Sequence, residues 1–151
     1  MILANPSRYF RTVARTEAVT WALLLVGMFL KYVTETTEVG VQVFGMVHGV
    51  VFLWYCVTTV FVAVDQRWSV GLTLLGLVSS IPPFATVAFD RYVERRGSFL
   101  PAWRLISSEP TGLIDRPVAW LLRHPLHAVA TAVALVVVLT SAALVVGPPA
   151  S

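Results

Sequence analysis

Three residues that could do chemistry lie in apolar stretches of this sequence: Glu17, Lys31 and His48. An ionised carboxylate in a hydrocarbon environment costs on the order of 2–3 kcal/mol unless it is paired, so Glu17 is a candidate functional residue. We expect Arg15 or Arg67 to be its partner. Histidine changes charge near neutral pH and also binds metals. The residue types therefore point to proton or ion handling, or to polar contacts that orient apolar helices.

The spacing of these residues separates them along a helix. Lys31 follows Glu17 by fourteen residues, which is about 21 Å at about 1.5 Å per residue. Lys31 is therefore expected at the opposite membrane face, as a side chain that reaches out to the headgroups.

Small residues flank the histidine. Gly45 and Gly49 form a Gly-xxx-Gly pair beside His48, a spacing that permits close approach of a second helix. This approach would bring His48 against the first apolar segment near Gly27 and Lys31. An interhelical hydrogen bond and a role in proton or ligand handling are both open for His48.

The sequence contains no catalytic constellation. It has no HExxH motif and no phosphate-binding glycine loop, and the acids other than Glu17 lie in connectors. Cys56 is the single cysteine, so a multi-cysteine metal site is excluded. His124 and His127 form a weak metal signal, because Pro125 lies between them. We expect no enzymatic activity, no resident metal and no cofactor.

Composition places the chain in a membrane. Of 151 residues, 57% are hydrophobic and 13% charged, with a mean hydropathy of +0.78, against roughly 45–50% apolar and about 25% charged in soluble domains. A disordered chain, a secreted disulfide scaffold and a nucleic-acid-binding module are excluded. The length predicts one integral membrane domain over residues 1–151. Membrane lipids are its first expected partners.

Four apolar stretches reach the roughly 20 residues that a membrane crossing needs: 14–33, 41–64, 68–89 and 126–146. Asn5 and Pro6 form a helix-start signal, and Gly147-Pro148-Pro149 a helix stop. Residues 90–125 are read as a polar connector with a short amphipathic helix around residues 117–123. The predicted fold is all-α: a small polytopic bundle of four transmembrane helices with this connector before the last.

The third stretch decides the topology. Pro82 and Pro83 predict a kinked or hinged helix that continues through Phe84, because each proline removes a backbone donor. Four crossings with a cytoplasmic N-terminus place four bases inside and seven outside, against the positive-inside rule. A re-entrant third segment changes the split to ten and one. We adopt four crossings as the prediction and leave the orientation open.

Three segments of the sequence carry a family resemblance: FRTVARTEAVTWALLLVGMFLKY, VFGMVHGVVFLWYCVTTVFVAVDQRWS and SSIPPFATVAFDR. In this order they resemble a family of small integral membrane proteins of Gram-positive, mainly actinobacterial, bacteria, named domain of unknown function 3817. The resemblance covers about residues 8–92 and implies a multi-pass bundle in the plasma membrane. It brings no established activity. The positions that match the family's signature are Glu17, Lys31, His48-Gly49 and Pro83-Phe84, whereas Ala85 stands where many members have glycine.

Two functions from different classes follow from these features. The first is a non-enzymatic accessory or scaffold subunit of a membrane assembly, with a protein partner or further copies of itself. The alternative is a small oligomeric transporter or channel lined by Glu17, Lys31 and His48. A membrane enzyme or lipid-binding protein that acts at the headgroups through the arginine-rich connector is a weaker third hypothesis.

Overall fold

The computed structural model describes residues 5–146, and every regular element in this range is an α-helix. The all-α prediction is confirmed. The predicted stop at Gly147-Pro148-Pro149 lies outside the described residues. The helices are α1 (Pro6–Tyr32), α2 (Val39–Asp65), α3 (Val70–Val78), α4 (Ala85–Arg95), α5 (Arg104–Ser107), α6 (Asp115–Arg123) and α7 (Pro125–Val146).

The first helix begins where the sequence predicts. Asn5 is extended at the N-cap, and its side chain accepts a hydrogen bond from the backbone N–H of Arg8 at 3.1 Å. Pro6 occupies the first helical position, where its missing N–H leaves no donor unsatisfied.

Helices α1 and α2 form an antiparallel pair, and two glycines set their closest approach. A Cβ atom built on Gly27 would lie 2.8 Å from the carbonyl carbon of Gly40. Neither backbone has room for a side chain at this point. The Gly27–Gly40 contact therefore fixes the register of the two helices.

The third apolar stretch is a helical hairpin. Helix α3 has nine residues, so it is about 14 Å long, less than half of the roughly 30 Å hydrocarbon thickness. The indole N–H of Trp68, before α3, donates to Ser98 O, after α4, at 3.0 Å. The chain thus returns to the end of the bundle from which it started.

The four-crossing prediction is therefore not confirmed. Among the described residues, three helices are long and apolar enough to cross a membrane: Pro6–Tyr32, Val39–Asp65 and Pro125–Ala142. The third stretch reverses because Pro82 and Pro83 supply no N–H groups and Phe84 adopts a left-handed conformation, with φ of 65°. The predicted kink at Pro82, Pro83 and Phe84 is a reversal of direction.

Serine hydroxyls bond to backbone carbonyls in the last turn of α3, just before the two prolines. Ser79 Oγ donates to Gly76 O at 2.7 Å, and Ser80 Oγ donates to Leu77 O at 2.6 Å. This exchange is how a helix can end in an apolar environment without exposed polar backbone.

An aromatic core joins the hairpin to α1 and α2. Phe10 is fully buried, and its ring centroid lies 5.6 Å from those of Tyr55 and Trp68 and 6.0 Å from that of Phe89. Tilted and edge-on contacts of this kind favour a defined packing over a loose one. Phe10 on α1 thereby contacts α2 and both arms of the hairpin.

A buried carboxylate organises the connector. Asp65 accepts hydrogen bonds from the backbone N–H groups of Arg104, at 3.1 Å, and Leu105, at 2.9 Å. Arg104 pairs with Asp115 at 3.2 Å. Although burial acts in the opposite direction, the hydrogen bonds from Arg104 and Thr111 lower the pKa of the Asp115 carboxyl. Helix α6 confirms the short helix predicted around residues 117–123.

Candidate functional site

Glu17 and His48 belong to one buried group of side chains, which we call the polar cluster: Glu17, Thr20, His48 and Thr86. Glu17 and Thr20 lie three residues apart on α1 and so share a face of that helix. His48 comes from α2, and Thr86 lies in the first turn of α4. All four are at most 7% exposed. The cluster therefore joins the two long helices to the hairpin.

Glu17 is held by a hydroxyl group and not by an arginine. Thr86 Oγ1 donates to Glu17 Oε2 at 2.6 Å. Glu17 Oε1 is buried and makes no hydrogen bond within the described part of the chain, although the indole of Trp21 interacts with the carboxyl group. The ion pair expected with Arg15 or Arg67 is not found, because the hairpin brings Thr86 to this position instead.

The hydroxyl group of Thr20 connects the backbone of Glu17 to His48. Thr20 Oγ1 donates to Glu17 O at 2.8 Å and lies 3.0 Å from His48 Nδ1. A hydroxyl group has one hydrogen. When that hydrogen is on Glu17 O, the hydroxyl oxygen of Thr20 is left to accept a hydrogen bond from His48 Nδ1–H.

An indole ring closes the cluster on one side. The rings of Trp21 and His48 lie 4.5 Å apart, and Trp21 Nε1 donates to Ser80 O in the hairpin turn at 3.4 Å. Trp21 therefore contacts both α2 and the reversal that ends α3.

Lys31 lies outside the polar cluster. Its ammonium group is 3.5 Å from Glu38 Oε1 in the turn between α1 and α2, and 5.3 Å from the ring centroid of Tyr32. The structure thus places it at the end of the bundle that carries this turn. The expectation that His48 lies near Gly27 and Lys31 is wrong, because the Gly27–Gly40 register sets His48 opposite Thr20.

Gly45 and Gly49 differ in their surroundings. A Cβ atom on Gly45 would lie 3.8 Å from Leu24 of α1, whereas one on Gly49 would meet nothing within 4 Å. Between α1 and α2, the glycines whose backbones are in contact are therefore Gly27 and Gly40, and not Gly45 or Gly49. A role of Gly45 and Gly49 in packing against another chain stays a prediction.

Sequence reasoning missed Thr20, Thr86 and an ion pair at the arginine-rich end. The spacing of Thr20 from Glu17 was a usable signal. No sequence signal indicated Thr86, because only the reversal of the chain after α3 brings this residue to α1. Arg11 Nε lies 3.3 Å from Asp90 Oδ2, and Arg11 also contacts Glu94, so this arginine joins α1 to α4.

His124 and His127, the pair considered as a weak metal signal, pack against the ring of Trp120. The ring of Trp120 lies 4.9 Å from that of His124 and 5.1 Å from that of His127, and the two histidine rings are 5.7 Å apart. Within residues 5–146 no group of three or more His, Cys, Asp or Glu side chains is arranged to hold a metal ion.

Two cavities lie away from the polar cluster. An apolar cleft of about 260 Å³ separates α2 from α7, and a polar cavity of about 430 Å³ lies at the base of the hairpin beside Arg67 and Arg96. Neither is lined by Glu17, Thr20, His48 or Thr86. The polar cluster thus contributes to neither cavity.

The first four helices coincide with a known family. The family model described as domain of unknown function DUF3817 matches residues 7–95, the region that holds α1 to α4 and the whole polar cluster. The chain belongs to the DUF3817 family. The resemblance found in the sequence is confirmed, and α5, α6 and α7 lie beyond the matched residues.

Relatives of this DUF3817 protein are described only as membrane proteins. One, from Streptomyces coelicolor, is 47% identical over 91 residues, which are 60% of this chain but 11% of the relative. Another, the uncharacterised membrane protein YdzA of Bacillus subtilis, is 26% identical over 91 residues, which are 94% of its length. No solved structure matches. The chain is a helical membrane protein of a family without an assigned function.

Proposed function

We propose that this DUF3817 protein is a non-enzymatic accessory or scaffold subunit of an assembly in the plasma membrane. The supporting observation is that its buried polar groups connect its own helices and line neither cavity. Glu17 contacts Thr86, and His48 contacts Thr20. Polar contacts of this kind hold membrane helices in a fixed arrangement. A rigid arrangement with little mass outside the membrane suits lateral contact with another membrane protein.

The topology we propose has three crossings and a re-entrant hairpin. The hairpin places α3 and α4 on the side of the membrane where α1 begins. All eleven bases lie in the described residues, and Lys31 alone is at the other end. The positive-inside rule then places the N-terminus in the cytoplasm. The bases at the N-terminal end are Arg8, Arg11, Arg15, Arg67, Arg91, Arg95, Arg96, Arg104, Arg116 and Arg123.

Gly49 offers the contact surface for a partner. A side chain there would meet nothing in this chain, so another helix has room to approach α2 closely. Gly49→Leu should leave the fold unchanged and block this approach. Gly71→Leu is the matched control, since a Cβ atom on Gly71 also meets nothing within 4 Å.

Native mass spectrometry of the complex extracted from its own membrane in mild detergent tests the proposal. We expect a second protein, or further copies of this chain, in fixed stoichiometry. Gly49→Leu should dissociate the complex, while Gly71→Leu should leave it intact with the same thermal midpoint. A monomer from the unmodified protein, or equal complexes from both variants, would contradict the proposal.

A small oligomeric transporter or channel is the second candidate, and one observation favours it. Thr86 Oγ1 lies within hydrogen-bond distance of both Glu17 Oε2 and Ala14 O. An ionised Glu17 accepts from Thr86, while a protonated Glu17 donates to it and Thr86 turns to Ala14 O. The site therefore accommodates both protonation states without moving a helix.

Proton flux into liposomes that contain the purified protein separates the two functions. A transporter should show a pH-dependent flux that Glu17→Gln and His48→Ala abolish, and Lys31→Gln should preserve it because Lys31 lies outside the cluster. The scaffold function predicts no flux from the unmodified protein.

A further inference from the structure

We propose that the cleft between α2 and α7 binds one acyl chain of an anionic phospholipid from the leaflet at the arginine-rich end. The site lies outside the polar cluster and does not rest on the scaffold function. Its volume is about 260 Å³. The walls are contributed chiefly by Trp54, Val57, Phe61, Ala128, Ala132 and Leu135.

The position of the cleft matches the depth of one leaflet. One end of the cleft lies at the connector, where Trp103, Leu122 and Pro125 line it. From Pro125 the lining extends along α7 as far as Leu135, a distance of about 15 Å. This distance is half of the roughly 30 Å hydrocarbon thickness. A lipid chain that starts at the headgroups on this side extends over the same depth.

The shape of the cleft favours a slender occupant over a helix. A helix with its side chains is about 10–12 Å across, which is much wider than a single unbranched hydrocarbon chain. The cleft is also smaller than the roughly 300–1,000 Å³ of sites for compact small molecules. An unbranched hydrocarbon chain satisfies both limits.

Charge at the mouth selects the headgroup. Arg8 adjoins the cleft residue Tyr9, Arg123 adjoins Leu122, and both arginines are exposed. Arg104 is engaged by Asp65 and Asp115, and Arg123 donates one hydrogen bond to Ser108 O at 3.2 Å. Arginines near the membrane surface attract anionic headgroups. A lipid whose anionic headgroup lies near these arginines would have its acyl chain at the same end of the cleft.

The loose packing of α7 agrees with a bound chain. Helix α7 packs against α2 and α6, and its most apolar 18 residues are only 6% buried by the protein itself. An acyl chain in the cleft would supply apolar contacts that side chains do not make on this face.

Lipid retention measured by native mass spectrometry tests the site. The full chain, delipidated in detergent, is mixed with equal amounts of phosphatidylglycerol and phosphatidylcholine of the same chain length. We expect one phosphatidylglycerol retained per chain, and Ala132→Phe should lower its affinity about tenfold or more, because the ring fills the cleft. Ala130→Phe, an exposed position on α7 outside the lining, should not change it.

Two further measurements keep the test decisive if Ala132→Phe unfolds. Chain-brominated phosphatidylglycerol should quench tryptophan fluorescence, and replacing both cleft tryptophans by Trp54→Phe and Trp103→Phe, which keep rings in the cleft wall, should clearly reduce the quenching. Arg8→Gln with Arg123→Gln should abolish the preference for phosphatidylglycerol. Equal retention by Ala132→Phe and Ala130→Phe, no retained lipid, or a second protein chain in place of the lipid would overturn the proposal.

Discussion

The most apolar 18 residues of α1 and of α2 are each 33% buried within the protein, whereas those of α7 are 6% buried. The first two helices approach until the backbones of Gly27 and Gly40 are in contact, and hydroxyl and carboxyl groups pack between them and the hairpin. Helix α7 lies across an apolar cleft from α2. The chain thus joins a tightly packed region, α1 to α4, to a loosely packed helix.

This difference follows the family boundary. The tightly packed region coincides with the DUF3817 match at residues 7–95, and the alignment with YdzA covers 94% of that relative. The lipid surroundings explain why the two regions pack differently. Burying apolar surface gains little in lipid, so close packing and hydrogen bonds must hold the helices. The region with small residues and polar contacts therefore has a fixed helix arrangement, and α7 packs loosely beside it.

The largest loss of stability is expected from a substitution at the backbone contact between Gly27 and Gly40. Gly27→Ala places a methyl group 2.8 Å from the carbonyl carbon of Gly40, and overpacking of this kind costs about 1–3 kcal/mol. The thermal midpoint in detergent should fall clearly. Gly71→Ala, in open space, is the control, and an equal midpoint for both variants would remove the basis for a tightly packed region.

A smaller loss is expected from the hydrogen bond that joins the hairpin to α1. Thr86→Val leaves Glu17 without its hydroxyl donor, at a cost of about 1–2 kcal/mol. Thr131→Val, the same change on α7 at the cleft, should cost almost nothing. Unfolding in denaturing detergent compares the two variants. If Thr131→Val were the more damaging, the contrast between the regions would be reversed.

Removal of α7 should have less effect still on the tightly packed region. A chain that ends after Arg123 keeps the polar cluster, the aromatic core and the Asp65–Arg104 contact, so its stability should change by less than about 1 kcal/mol. Its retention of phosphatidylglycerol should be lost. A chain that fails to fold after this deletion would show that α7 belongs to the structural core.

The smallest effect concerns the connector. The hydrogen bonds from Arg104 and Thr111 hold the pKa of Asp115 below its ordinary value, so the ionised form stabilises the fold. This contribution is complete above the unfolded pKa of about 3.9 and is lost as the pH falls through the lower folded pKa. The thermal midpoint should fall less between pH 6 and pH 3 in Asp115→Asn than in the unmodified protein. An unchanged pH profile would show that the Arg104–Asp115 pair contributes nothing measurable.

Local sequence features predicted much of this architecture. Contacts between residues that are far apart in the chain could not be predicted from them. The cap at Asn5 and Pro6, the apolar helices and α6 are readable because period and capping act within a few residues. The sequence also marked Glu17 and His48 as unusual. It did not predict that Thr86 contacts Glu17, because that contact depends on whether Pro82 and Pro83 kink or reverse the chain. A kinked helix and a reversed chain have the same apolar composition. Only packing against α1 and α2 determines which of the two forms.

The re-entrant hairpin is tested most directly by labelling single cysteines in intact cells. With Cys56 replaced by serine, cysteine is placed in turn at Arg67, at Glu109 and at Thr37, all of which are exposed. A membrane-impermeant maleimide should label Thr37→Cys from outside, and should reach Arg67→Cys and Glu109→Cys only after permeabilisation. If Glu109→Cys were labelled together with Thr37→Cys, the third segment would cross the membrane and the hairpin would be contradicted.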